Sequence, residues 1–307
     1  MKFPTPHLDK LTATLLNEKL PHDDKPLVEK ALQDYHIWIS NLESIAIQHR
    51  DKPQKLLHFM VNELNEYRLR LDINLIFDSP HDWLYRQKGQ TKLDNSIIEE
   101  FLPRLVQALL GHKLPAGIRL GPVESFAAIW FDSSLTRREP AGGLSLRQKA
   151  QDFALSLPLY IRASHSPTFE EALQLKTNLA YIAAECKTNL DKTMFQEACA
   201  TARDLKSALP LARYLLLCEW LDMKPINTGT TPIDKVLILR KAKRISAVTR
   251  EKFSTYQGRQ SLKGTYLAFL QSHPYREEVF QLFINYIDQF LSQETLDEAT
   301  VLDQGYF

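Results

Sequence analysis

Apolar residues recur at helical spacing through most of the first 75 positions. Leu11, Leu15, Leu16 and Leu20 form one such stripe, Leu27, Ala31, Tyr35 and Trp38 a second, and Leu57, Met60, Leu64, Tyr67 and Leu71 a third, punctuated by Pro21, Pro26 and Pro53. This pattern predicts a bundle of amphipathic helices. Residues 77–92 are polar and turn-like, after which Asp94 or Ser96 offers an N-cap for a helix carrying Ile97, Ile98, Phe101, Leu102, Leu105 and Leu109. Pro103 is expected to bend that helix early, because it has no N–H to donate back to Glu99.

The period changes at about residue 118. SFAAIWF (125–131) is a short apolar run bounded by Gly and Pro on one side and by the loop DSSLTRREPAGG on the other, which predicts a buried strand. Further strands are predicted at 152–161, 179–187, 213–221 and 235–241, with a helix from Asp191 to Ala208 between the third and the fourth. A helical crossover requires the strands it joins to be parallel. The expected fold is therefore mixed α/β: a central mixed sheet with a helical N-terminal region (1–92), a core (93–245) and a helical C-terminal region (246–307) packed on that core. The last region carries Val279, Phe280, Phe283, Tyr286, Ile287, Phe290 and Leu291 on one helical stripe.

Composition narrows the function classes. The 307 residues are 44% hydrophobic and 24% charged, the proportions of an ordinary globular chain rather than a disordered or fibrous one. No stretch approaches the roughly 18 uninterrupted apolar residues of a membrane span, and the first residues lack a basic-then-apolar leader. Cys186, Cys199 and Cys218 form neither a CxxC pair nor a Cys/His cluster, so neither a disulfide framework nor a zinc site is expected, and a reducing cytoplasmic setting fits. No GxxxxGK[ST] loop occurs, which speaks against nucleotide-driven chemistry.

Candidate chemistry lies in the segment AAECKTNLDK. In a strand, residues i and i+2 share a face, so Glu185 and Lys187 project together from the end of an apolar strand while Cys186 turns toward the packing side. On spacing alone the pair is equally a strand-end ion pair. Asp152 opens the preceding predicted strand, and antiparallel pairing of the two would bring it beside Glu185. Two carboxylates and a carbonyl at one point form an oxygen-rich site of the kind Mg²⁺ prefers, and a lysine beside it is suited to orienting water.

Asp152 followed by Glu185-Cys186-Lys187, with a strand, helix and strand in that order, resembles the motif of the PD-(D/E)xK nuclease superfamily. The wider segments LDNSIIEEFL, QDFALSLPLYIRASHSPTF, ECKTNLDKTMFQEACATARDLKSALP and LLLCEWLDM are similar to Type II restriction endonucleases that cut asymmetric sites, over roughly residues 82–245. The residue before Asp152 is Gln151 rather than the motif's proline. The resemblance implies that Asp152, Glu185 and the Cys186 carbonyl hold Mg²⁺ and that Lys187 is the catalytic lysine. It also implies that Glu99 or Glu100 is an auxiliary acid and that Gln196 supports the site. His165, in ASHSP, is expected in a loop or facing DNA. No Ser/His/Asp arrangement can be read from it.

Net charge is only +1, yet residues 235–263 hold nine basic residues against Glu251 alone, a local excess of +8. Such a segment is the footprint expected for phosphate contacts, through Arg240, Lys241, Lys243, Arg244, Arg250, Lys252 and Arg259, with Lys149 and Arg137–Arg138 as a second surface. A solvated basic helix is the alternative. The combined expectation is a Mg²⁺-dependent, sequence-specific endonuclease for double-stranded DNA. It would act with a second subunit, in a homodimer or heterodimer, because one chain holds one site. A structure-specific or repair nuclease of the same superfamily and a non-catalytic, helical DNA-binding protein are the alternatives.

Overall fold

The computed structural model describes residues 3–292 and 298–305, so the extreme ends of the expected N- and C-terminal regions and residues 293–297 lie outside the described residues. One five-stranded sheet runs in chain order: β1 (Arg119–Phe131), β2 (Leu144–Ala163), β3 (Leu173–Leu190), β4 (Arg213–Leu221) and β5 (Lys235–Ile238). The first three strands form an antiparallel meander, and β3–β4 and β4–β5 are parallel. Among the described residues ten α-helices surround the sheet, which is the mixed α/β architecture read from the sequence.

Strand alternation builds two cores. Ile182, Ala184 and Cys186 of β3 face one side with Leu215 and Leu217 of β4. Ala183 faces the other side with Tyr214, Leu216 and Cys218. The crossover helix α6 (Lys192–Ala208) covers that second face with Phe195, Ala198, Ala202 and Leu205, and the Asp191 side chain caps it by accepting from Met194 N–H. The first face is covered by α5 (Ser96–Leu110) and α9 (Glu277–Leu291), whose Phe101, Phe280 and Phe283 are fully buried. Each such side chain contributes about 1.5–3 kcal/mol by leaving water. The same apolar cluster continues into the N-terminal helices α1 (Pro6–Leu15), α2 (Lys25–Gln48) and α3 (Pro53–Arg70).

The strands are longer than their apolar runs. β2 begins at Leu144 rather than at Asp152, because the exposed, polar first half of the strand still pairs with β1. Irregular register near Gly121, Phe126 and Leu155 lets β2 curve, and its two ends fold toward one another. Gln148 Nε2 thereby reaches Thr177 Oγ1 at 2.9 Å, and Asn178 Nδ2 reaches the Glu124 carbonyl at 3.0 Å. His165 joins the hairpin tips by accepting from Gly142 N–H at 3.1 Å, which gives this loop histidine a structural contact. At Gly121 (φ +124°) a Cβ would stand 2.5 Å from Pro4, so only glycine allows β1 to pass that close to the N-terminal segment.

The remaining helices are short or lie on the C-terminal side. α4 (Trp83–Gln87) interrupts the segment expected to be turns, while α7 (Ala247–Lys252), α8 (Tyr256–Ser272) and α10 (Glu298–Gln304) follow the sheet. α3 continues into a π-helical stretch, Leu71–Phe77, and α5 runs through Pro103.

Candidate active site

The β3 strand carries Glu185 and Lys187 past the point where β2 leaves it: the last paired residues are Phe153 and Ala184, and Asp152 stands just beyond them. There the Cys186 backbone N–H donates to Asp152 Oδ2 at 2.9 Å, closing the gap that the strand ladder leaves. Lys187 Nζ lies 2.6 Å from Glu185 Oε1, and Tyr214 of β4 donates its hydroxyl to Glu185 Oε2 at 2.7 Å. Asp152, Glu185, the Cys186 backbone and Lys187 thus meet at one end of the sheet.

The two auxiliary candidates separate. Adjacent helical residues point about 100° apart, and α5 turns Glu99 toward Asp152 and Glu100 into the N-terminal bundle. Glu100 accepts from His7 N–H at 2.9 Å, from the Tyr35 hydroxyl, and pairs with Arg104 at 3.2 Å. Its place as an auxiliary acid is therefore corrected to that of a buried anchor between helices. Glu99 is buried, and its Oε1 has no hydrogen-bond partner among the described residues. Burial, together with the negative charge of Asp152, pushes its carboxyl up to about 7. Asp152 is also raised, mainly by burial, although the Cys186 N–H partly opposes the shift. For Lys187, burial works against the charge, but the Glu185 carboxylate outweighs it and keeps the ammonium protonated. Gln196 sits exposed on α6, while its neighbour Glu197 contributes to the field at Lys187.

Among the described residues, no group of three or more His, Cys, Asp and Glu side chains forms a cluster able to hold a metal ion. Side chains alone do not complete such a site here. The side chains that meet there offer hard oxygens, the carboxylates of Asp152 and Glu185, and the charge of Asp152 is felt by Glu99, whose Oε1 has no hydrogen-bond partner among the described residues. Carboxylates buried close together lack compensating positive charge, and carboxylate oxygens are hard donors of the kind a divalent cation takes.

Sequence reasoning missed Tyr214, whose hydroxyl was hidden in the apolar run RYLLLCEWL, and only the parallel register of β4 brings it to Glu185. It also missed Lys92 and Lys10, whose charges act on Glu99, and the hydrogen bond from Thr188 to Asn95 at 2.7 Å that ties the strand end to the residue before α5.

The basic segment is mostly neutralised by acids from elsewhere in the chain. Arg240 and Arg259 are buried, which corrects their assignment as DNA contacts. Arg240 binds Glu219 at 3.1 Å between the rings of Trp220 and Tyr275, and Arg259 binds Asp82 at 3.2 Å and the carbonyls of Ser79, His81 and Phe253. Arg244 and Arg250 share Asp222 at 3.7 Å, Lys241 pairs with Glu278, Lys263 with Asp78 and Lys149 with Asp204. Lys243 and Lys252 are exposed and make no ion pair among the described residues.

The profile of the Bpu10I restriction endonuclease family matches residues 90–307, which takes in the whole sheet and the C-terminal helices. A search of curated proteins finds no match. Among solved structures, the chain is similar to one described as the native BbvCI A2B2 tetramer at low resolution, with a TM-score of 0.54 and 18% identity over 89% of this chain and 100% of that one. At that identity the likeness speaks for the fold.

Proposed function

This chain belongs to the Bpu10I restriction endonuclease family, and on that premise we propose that it is a Mg²⁺-dependent, sequence-specific Type II endonuclease hydrolysing phosphodiester bonds of double-stranded DNA. The observation that carries the reading is the meeting of Asp152, Glu185 and Lys187 where β2 and β3 part, near Glu99, whose buried Oε1 has no hydrogen-bond partner among the described residues. Asp152, Glu185 and the Cys186 carbonyl would hold Mg²⁺, which when bound neutralises the charge that grows on a scissile phosphate.

The chain's own groups do the rest. The Cys186 N–H fixes the Asp152 carboxylate. Lys187, charged and restrained by Glu185, is a hydrogen-bond donor that orients water for in-line attack and not the base that takes its proton. The phosphate backbone would be held chiefly by Lys243 and Lys252, which are exposed and make no ion pair among the described residues, with Arg137 and Arg138 on the hairpin loop; Lys149, Lys241, Arg244 and Arg250 would join them only by exchanging an acidic partner for a phosphate. Cutting both strands needs two sites, so a second subunit, identical or different, completes the enzyme. The tetrameric state given for the similar BbvCI structure supports this. Among the described residues no helix is long and apolar enough to cross a membrane. With three free cysteines, a cytoplasmic role within a restriction-modification system is the setting that fits.

Supercoiled plasmid incubated with the purified chain, with Mg²⁺ or EDTA and alongside Asp152→Ala, tests the proposal. Discrete Mg²⁺-dependent linear fragments lost in the variant are the expected result for a homo-oligomer, and site-specific nicks for one subunit of a heterodimer. Random degradation would favour a repair-type nuclease. Cleavage that persists unchanged in Asp152→Ala or in EDTA would sink the assignment.

A further inference from the structure

The Glu185 carboxylate is gripped from two sides. Lys187, on its own strand, holds Oε1 at 2.6 Å, and Tyr214, at the start of the neighbouring parallel strand, donates to Oε2 at 2.7 Å. Tyr214 is fully buried in the apolar layer under α6, among Ala183, Ala198, Ala202 and Leu216. Its ring is thus locked by packing, and its backbone is fixed too: Tyr214 N–H donates to Asp234 Oδ2 at 2.7 Å, and Asp234 is itself paired with Lys206 at 2.7 Å. Such a buried hydroxyl must find an acceptor, and the carboxylate it donates to belongs to the reaction centre, with the Thr201 side chain as a further neighbour of the hydroxyl.

We propose that Tyr214 is a positioning residue that sets the orientation of the Glu185 carboxylate for metal binding. The inference rests on the reading of Glu185 as a metal ligand. Two features argue for more than packing. Phenylalanine would fill the same volume without leaving a polar group to satisfy. The rigid element that bears the hydroxyl is also a different strand from the one that bears Glu185, so the bond fixes the carboxylate relative to the sheet as a whole. Outer-shell partners of this kind restrict ligand rotation, and losing one costs about 10–100-fold in metal affinity or activity.

The test compares wild type, Tyr214→Phe, Glu185→Gln and the double variant by calorimetric titration with Ca²⁺ and with Mg²⁺ in the absence of DNA, and by cleavage at graded Mg²⁺. Tyr214→Phe is expected to weaken ion binding and to raise the Mg²⁺ needed for half-maximal cleavage, each by about tenfold or more. Its thermal midpoint should stay near wild type. The double variant should bind the ion no more weakly than Glu185→Gln alone, because Tyr214 acts through Glu185. Unchanged ion binding in Tyr214→Phe, with binding lost in Glu185→Gln, would overturn the positioning role while leaving the nuclease site intact. Ion binding untouched by Glu185→Gln would instead overturn the reading of Glu185, and the role of Tyr214 with it.

Discussion

Replacing Arg240 by methionine separates folding from DNA binding. The guanidinium donates to Glu219 Oε1 at 3.1 and 3.3 Å and to the His273 carbonyl at 2.7 Å, with Trp220 and Tyr275 stacked against it at 4.8 and 4.0 Å. Methionine fills much of the volume but leaves the His273 carbonyl and part of the Glu219 carboxylate unpaired. Breaking a buried ion pair from one side costs about 3–5 kcal/mol. Arg68, which also binds Glu219 at 3.0 and 3.2 Å, remains and limits the loss. An expected cost of about 3 kcal/mol corresponds to a fall of roughly 4–5 °C in the thermal midpoint for a chain of 307 residues. Urea unfolding measures the stability, and DNA affinity at several salt concentrations measures the phosphate contacts. The salt slope should not change, whereas Lys243→Gln with Lys252→Gln should flatten it by nearly two units and move stability by less than about 0.5 kcal/mol. A variant Arg240→Met with unaltered unfolding but weakened, less salt-sensitive binding would refute this reasoning and return Arg240 to the DNA surface.

Three other outcomes are expected. Lys187→Ala should abolish cutting while gel shifts show DNA binding retained; residual cutting near the wild-type rate would remove the lysine from the mechanism. Asn95→Ala severs the bond to Thr188 and should lower the cleavage rate several-fold with DNA affinity unchanged, and equal rates would show that the strand end needs no such tether. Burial raises Asp72 from 3.8 to about 6, despite Arg68 at 3.4 Å, so the folded chain keeps a proton that the unfolded chain has released. Its contribution therefore falls as pH rises from about 4 to 7, and Asp72→Asn should remove that part of the slope in urea titrations at pH 4.5, 5.5 and 7. Parallel slopes in wild type and variant would contradict it.

Much of the architecture was written locally. Apolar residues at three- and four-residue spacing marked the N-terminal helices and the Val279–Leu291 stripe, and short, mainly apolar runs marked all five strands, because burial imposes the period of the element that is buried. The helix between β3 and β4 dictated their parallel pairing. Glu185 and Lys187 share a face for an equally local reason, the two-residue repeat of a strand. Strand ends were less legible: the first half of β2 is polar and exposed, so no apolar signal announced it.

What the sequence could not decide was everything set by partners distant along the chain. Nothing in Glu99-Glu100 says which of two side chains about 100° apart on α5 feels the charge of Asp152 and which bonds His7 and Tyr35. Tyr214 reached Glu185 only through the register of two strands separated by a helix. The basic segment is the sharpest case. Its local excess of +8 is a true count, yet Glu219, Asp222, Glu278, Asp82 and Asp78 come from other elements to meet six of its nine cations. Charge summed along a chain ignores such pairing. Opposite charges attract across a few ångströms of folded space whatever their separation in sequence, so only the tertiary structure reveals which cations remain free to meet DNA.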